Sequence, residues 1–330
     1  MNRRKIKIFK GQHCETTATG TLLNQIGLEF SEPMLFGLGE GLGFVYWNSK
    51  QMSFPFLGGR VKPEELTKNL SKNLGLMYNP TETTSVKKAW DNVKNRLDNG
   101  QVVGLKLDSY YLEYFTKPIH FAGHYVAIYD YDDQFAYLID TQQQGGFVQT
   151  SLESLSRARN ATGPMASRNL SYTIELPNEV FPIKDAILQA IHNNAYQFLN
   201  PPITNLGYKE ISKASNELKN HFNVTSNLEH DFCTLSMVME KAGTGGALFR
   251  NLFRDFLYEC YNITGLKQLE IAGNEYKKIA LNWTTISELL EKTGKTGKQE
   301  YLDEACKLLV DVSSEEKNVM EGLQELPRGI

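Results

Sequence analysis

Cys14, His124 and Asp140 are three residues whose types can be assembled into one reaction. A cysteine attacks an electrophilic carbon as its thiolate. A neighbouring imidazole takes the thiol proton, and a carboxylate on the other ring nitrogen fixes the tautomer and supports the imidazolium. Cys14 lies in Gly11-Gln12-His13-Cys14-Glu15-Thr16-Thr17-Ala18. A short strand is expected at 5–9 before it, and Ala18, Leu22, Leu23 and Ile26 predict a helix after it. At such a turn the sulfur can face solvent, and the free N–H groups and dipole of a helix start favour a thiolate.

The base and the carboxylate come from one predicted hairpin. Residues 124–130 and 135–140 are apolar runs separated by Tyr131-Asp132-Asp133-Gln134. With the turn at 131–133, His124 faces Asp140, Val126 faces Leu138 and Ile128 faces Ala136. Opposed Cβ atoms lie about 5 Å apart, and a slip of one residue would send Asp140 to the other face. His13, beside Cys14, and His120, in the loop before the strand, are rival bases.

Other elements must build the frame. Residues 31–44 carry four alternating glycines and read as a loop packed near the cysteine helix, without the Gly-Lys-Ser/Thr of a phosphate-binding loop. Glu40, a charge among apolar neighbours within it, reads either as a solvated carboxylate or as a ligand for a substrate amine. Strands are expected at 44–47, 52–56, 102–108, 147–150 and 170–176, and helices at 62–76, 85–97 and 151–159. Beyond Pro177 and Pro182 strand signals nearly vanish. Helical periods follow at 184–199, 208–221, 229–242, 246–261, 265–292, 298–311 and 314–324. The expected fold class is α+β, with a cysteine-triad domain over 1–176 and an all-α domain over 183–330. Gly243-Thr244-Gly245-Gly246 reads as a tight turn between helices, and Arg250 and Arg254 as members of an ion-pair network.

Composition narrows the function classes. The chain has 330 residues, 41% hydrophobic and 22% charged, with a net charge of −3. Those values suit a soluble globular protein and give no case for nucleic acid or an anionic membrane as partner. No apolar run reaches membrane-spanning length, and Ile6-Lys7-Ile8-Phe9 is too short for a signal peptide, so a cytoplasmic location is expected. Cys14, Cys233, Cys260 and Cys306 lack the spacing of a zinc site or a disulfide framework, and no metal is expected.

His13-Cys14-Glu15-Thr16-Thr17, the Gly37–Phe44 loop and Gly123-His124-Tyr125-Val126 resemble the N-terminal domain of the butirosin biosynthesis protein H family. The second half, through Lys241-Ala242-Gly243-Thr244-Gly245-Gly246-Ala247-Leu248-Phe249-Arg250, resembles the uncharacterised α domain often fused to it. The resemblance implies a papain-like fold related to peptidases that process double-glycine leaders. It also implies acyl transfer in antibiotic biosynthesis, from an acyl carrier protein or coenzyme A thioester, through a Cys14 thioester, to a small amine acceptor. Acyl-phosphopantetheine would then be a donor substrate, with no tightly bound cofactor. The related peptidases carry a glutamine six residues before the cysteine, and that position here is Ile8. Gln12, or backbone N–H groups including that of Cys14, would serve the oxyanion instead, with His13 and Glu40 as further pocket residues. A cysteine peptidase or amidase of the same fold and a non-catalytic binding protein are the alternative functions. A homo-oligomer is left open.

Overall fold

The computed structural model describes residues 5–48, 55–163, 165–177 and 181–327. In chain order the elements are α1 (Cys14–Gln25), α2 (Glu32–Leu38), β1 (Leu42–Trp47), β2 (Phe56–Arg60), α3 (Glu65–Leu74), β3 (Met77–Thr81) and α4 (Val86–Asp98). Then come β4 (Val103–Leu107), β5 (His124–Tyr131), β6 (Phe135–Ile139), β7 (Phe147–Ser151), α5 (Leu152–Arg159) and β8 (Ser171–Glu175). The remaining elements are helical: α6 (Ile183–Leu199), α7 (Gly207–Val224), α8 (Leu228–Lys241), α9 (Arg250–Thr264), α10 (Lys267–Thr296) and α11 (Gln299–Gln324). The chain forms two compact units, Met1–Leu35 with Leu70–Val180, and Phe36–Asn69 with Phe181–Ile330. Residues 36–69, which carry β1 and β2, fall in the second unit.

The first unit is built on a six-stranded antiparallel sheet in the order β3-β8-β4-β5-β6-β7. Val103, Leu105, Val126, Ile128 and Leu138 of its central strands are fully buried with Val93 of α4 and Leu155 of α5. Each such side chain contributes about 1.5–3 kcal/mol by leaving water. Helix α1 packs chiefly on β5 and also reaches β4, β6 and β8. Its threonines are buried without orphaned hydroxyls. Thr16 and Thr17 donate to His13 O, Thr21 donates to Thr17 O, and Thr19 pairs with the Tyr172 hydroxyl.

Several elements differ from the sequence expectation, each for a local reason. Residues 5–9 form no strand, because side chains of α1 take their backbone groups. Phe9 N–H donates to Thr21 Oγ1, while Ile8 O and Lys7 O accept from Asn24 and Gln25. Residues 32–38 form helix α2 rather than a loop, and Gly37 sits in it because a Cβ there would lie 2.1 Å from the Phe256 ring. Strand β3, which has no counterpart among the expected elements, contains Pro80. It is tolerated because β3 is the sheet edge, bonded only to β8. Of the expected 52–56 strand, residues 52–54 lie outside the described residues, and β2 begins at Phe56.

In the second unit the β1–β2 hairpin packs with α7 and α8. Helix α9 starts at Arg250 rather than at 246, because Gly246, Ala247, Leu248 and Phe249 all have positive φ. Arg250 holds that turn. Its Nη1 donates to Leu248 O at 2.8 Å, and Nε and Nη2 grip the fully buried Glu316 at 2.7 and 2.9 Å. Trp283 Nε1 donates to the same carboxylate at 2.7 Å. The 298–311 and 314–324 periods are one helix, α11. Ser313, the apparent break, donates to Tyr208 O, and Ser314 donates to Val310 O one turn back. Among the described residues no helix is long and apolar enough to cross a membrane.

Candidate active site

Cys14 is the first residue of α1, and the turn before it is fixed from two sides. His13 caps the helix: its backbone is extended, and its Nδ1 accepts from Thr16 N–H. Glu32, from the start of α2, accepts from the backbone N–H groups of Gln12 and His13 at 2.8–3.0 Å and from Thr16 Oγ1 at 2.8 Å. A carboxylate there also complements the positive end of α1. Cys14 itself is partly exposed, whereas Cys260 and Cys306 are buried.

The β5–β6 hairpin supplies the other two groups. Its register differs from the expected one. Ile128 pairs with Leu138 and Ala127 with Ile139, and a bulge intervenes between Ile128 and Asp130. The turn closes later than expected, where Asp132 N–H donates to Phe135 O. The displacement from the expected pairing is two residues, an even number, so His124 and Asp140 keep a common face. They meet as His124 Nε2 and Asp140 Oδ2 at 2.8 Å, both buried. The loop after β6 is tied to the turn before α1 by Gln142 N–H donating to Gly11 O at 3.1 Å. That bond holds the Asp140 end of the hairpin beside the Cys14 end of the helix.

The His124 ring is shared between two partners. With Nε2 engaged by Asp140, Nδ1 is the nitrogen left for Cys14, which also acts on the ring electrostatically. Burial alone would push the imidazole pKa down. The charge and hydrogen bond of Asp140, followed by the hydrogen bond and charge of Cys14, outweigh it and raise the pKa to about 10. The ring is therefore an imidazolium through the neutral range.

Tyr114 and Phe115, which carried no recognisable signal in the sequence, complete the surroundings. The Tyr114 hydroxyl donates to Asp140 Oδ2 at 2.8 Å, and Thr141 N–H donates to Oδ1 at 2.7 Å. With His124, three donors thus converge on one carboxylate. Burial first, then the Asp140 charge and hydrogen bond, hold the Tyr114 pKa well above its ordinary value, so it stays a neutral donor. Phe115 sets its ring edge-on to His124 at 5.4 Å. The only hint was position: an aromatic run, Tyr110–Phe115, in the segment leading into the histidine strand.

The other expected site residues are held by contacts of their own. His120 is exposed, stacked on Tyr110, with Nδ1 3.0 Å from Asp108 Oδ2. His13 is buried as the helix cap, and Gln12 is exposed with its backbone N–H bound to Glu32. Glu40 belongs to the second unit, where it is buried and accepts from Asn193 Nδ2 and Gln197 Nε2 at 2.8 Å each. Glu40 is thus not a solvated loop carboxylate: it is buried, and two amides from α6 bond to it. Among the described residues no group of three or more His, Cys, Asp or Glu could hold a metal ion.

Residues 13–141 match the family described as "Butirosin biosynthesis protein H, N-terminal", and residues 153–323 match "Domain of unknown function (DUF4872)". No curated protein is significantly similar to the chain. The first match opens on the helix cap beside Cys14 and runs one residue past Asp140. The chain belongs to the family that joins a butirosin biosynthesis protein H N-terminal domain to a DUF4872 domain.

Proposed function

We propose that this protein is an acyltransferase that carries the acyl group as a thioester on Cys14, within a papain-like Cys-His-Asp triad. The observation that supports it most is the His124 ring, bonded through Nε2 to a carboxylate that Tyr114 and Thr141 also hold, with its pKa raised in part by the Cys14 thiol at a helix start. In the first half-reaction the Cys14 thiolate attacks the carbonyl carbon of a donor thioester. The tetrahedral intermediate collapses, the donor carbon–sulfur bond breaks, and the His124 imidazolium gives its proton to the departing phosphopantetheine thiolate. In the second half-reaction an amine attacks the Cys14 thioester and loses a proton to His124. The carbon–nitrogen bond forms and the Cys14 thiolate leaves. Asp140 holds the ring throughout.

The oxyanion donors follow from which N–H groups are occupied. Gln12 and His13 N–H are bound to Glu32, Thr16 N–H to the His13 ring, and Thr17 N–H to His13 O. Cys14 N–H, at the first turn beside the nucleophile, is the donor we assign to the oxyanion. The donor class, a carrier-protein or coenzyme A thioester, and the amine acceptor in specialised-metabolite biosynthesis rest on the family resemblance.

The test is to incubate the protein with acyl-pantetheine thioesters and measure its mass with and without amines. The proposal expects an acyl adduct on Cys14 that is absent from Cys14→Ala and is discharged faster when an amine is present. Discharge at the same rate without amine would instead make it a hydrolase. The absence of any adduct on Cys14 across acyl chain lengths would overturn the thioester route.

A further inference from the structure

Arg159, at the end of α5, carries a buried charge without a counter-charge. Its side chain is 2% exposed. Nη1 donates to Ala89 O at 3.2 Å and Nη2 to Asn169 O at 3.0 Å, while Nε–H has no acceptor among the described residues. Both partners are neutral carbonyls, and among the described residues no carboxylate pairs with the guanidinium. Burial alone pushes its pKa down, to about 10, with no opposing contribution from an acid. An arginine placed this way is costly, since charges leave water in proteins only when paired or bound to an ion.

A cavity lies against the same residue. It is lined by Arg159, Trp90, Ser156 and Asn169 together with Ala89 and Leu155, and its volume is about 20 Å³. One water needs about 10–15 Å³, so the space has room for a small species. Trp90 and Ser156 bring an indole N–H and a hydroxyl, both able to donate. A water in the cavity would bring no charge. A monatomic anion accepts from every donor around it and neutralises the guanidinium.

We propose that the Arg159 cavity binds one halide ion, chloride in the cell. The site lies in the first unit and is independent of the Cys14 chemistry. Its effect is on the fold around β8. Arg159 O accepts from Asn169 N–H and Ser167 Oγ, and its guanidinium holds Asn169 O. Asn169 and Arg168 have positive φ, a conformation that non-glycine residues hold only when their surroundings fix it. Neutralising Arg159 therefore steadies the turn that delivers the chain into β8.

The decisive experiment measures thermal unfolding of the full chain in sodium chloride, sodium bromide and sodium gluconate at matched ionic strength. Chloride and bromide should raise the melting temperature by a few degrees and saturate, as binding to the folded state alone requires, while gluconate should not. Arg159→Met should remove the halide dependence whatever its absolute stability. If that variant fails to fold, Arg159→Lys, which keeps the charge but loses Nε–H, should weaken the dependence instead. Crystals grown in bromide should show an anomalous peak in the cavity beside the Arg159 guanidinium. Equal melting of the wild type in chloride and gluconate would overturn the proposal. So would a halide dependence that survives in the folded variant, or a bromide map with no peak at Arg159.

Discussion

His124 Nε2 reaches Asp140 Oδ2 at 2.8 Å although the two residues are diagonal, not opposite, across the β5–β6 ladder. Ala127 pairs with Ile139, so the next position outward sets Val126 against Asp140, with His124 two residues beyond. Diagonal neighbours are about 7–8 Å apart at the backbone, within reach of a long side chain. The diagonal placement leaves room on Oδ2 for the Tyr114 hydroxyl. Asp140 is thus a carboxylate shared by a ring, a phenol and a backbone amide.

Replacing Asp140 by Asn should disturb that sharing. If the amide oxygen keeps His124 and Tyr114, the amide nitrogen meets the Thr141 N–H, donor against donor. The alternative flip turns the nitrogen towards the ring and the phenol. Turnover should fall by about 10²-fold or more, as for loss of general acid–base assistance, with less effect on KM. Asp132→Asn is the control. Its carboxylate accepts from Gln134 N–H, Phe135 N–H and the Tyr137 hydroxyl at the hairpin turn, so the variant should lose about 1 kcal/mol of stability yet keep its turnover. Steady-state kinetics and urea unfolding on both variants check the contrast.

The cysteines should separate cleanly in reactivity. Burial pushes the Cys260 thiol well up and Cys306 to about 11, and it also raises Cys233. Cys14 alone combines partial exposure with an imidazolium whose pKa it helps to raise. Under native conditions near neutral pH, iodoacetamide followed by peptide mapping should label Cys14 at least about tenfold faster than the other three. Comparable labelling of Cys233 would remove the case for an activated thiol at the helix start.

How far the site was legible follows from the kind of signal each residue left. The Cys14 helix start and the hairpin are local patterns, so the sequence carries them, and the face shared by His124 and Asp140 survives because the register differed by an even step. Tyr114 left none, because its partner lies across a loop and no period relates position 114 to position 140. Glu40 and residues 36–69 show the opposite failure. They precede the sheet in sequence, but the contacts of Glu40 are with Asn193 and Gln197, a separation that no local pattern spans. The glycine-rich 31–44 stretch reads as a loop yet begins as helix α2, because Gly37 serves a close approach of Phe256 rather than a turn.

Tyr114→Phe removes one donor from Asp140 without adding bulk. The remaining carboxylate charge is then less shared, so it should stabilise the His124 imidazolium more strongly and move the alkaline limb of the Cys14 alkylation profile upward. A purely structural role would change the melting temperature and leave that limb in place. Stability should fall by about 1–2 kcal/mol for one buried hydrogen bond to a charged group.

The raised His124 pKa also ties stability to pH. The folded value, about 10, lies above the ordinary 6.5, so the folded state binds the proton more tightly than the unfolded chain does. That contribution is complete below about pH 6.5 and is lost as the pH rises through about 10. The wild type should therefore melt progressively lower from near neutral to pH 10. Asp140→Asn should flatten that slope, because the charge that raises the pKa is gone. A slope that is the same in both proteins would assign the alkaline loss to other groups.

The last prediction concerns the second unit, where Arg250 and Glu316 form an ion pair with both side chains fully buried. Arg250 also stacks over the Trp283 ring, 4.6 Å from its centre, and donates to Leu248 O in the positive-φ turn. Removing one partner leaves a buried charge without its counter-charge, which costs about 3–5 kcal/mol. Arg250→Met should therefore destabilise by that order and lose the turn's anchor as well. Glu316→Gln likewise leaves Arg250 without its counter-charge, so it should cost a similar amount, although Trp283 Nε1 and Arg250 Nε can still donate to the amide oxygen. The double variant Arg250→Met/Glu316→Leu separates charge from geometry. With both charges gone the burial penalty vanishes, so it should recover much of the loss of Arg250→Met if desolvation dominates. It should recover little if the guanidinium is needed mainly to hold Ala247, Leu248 and Phe249 at positive φ. The unfolding midpoints of the three variants in urea distinguish the outcomes, and recovery by the double variant to within about 1 kcal/mol of wild type would show that the turn holds without its arginine.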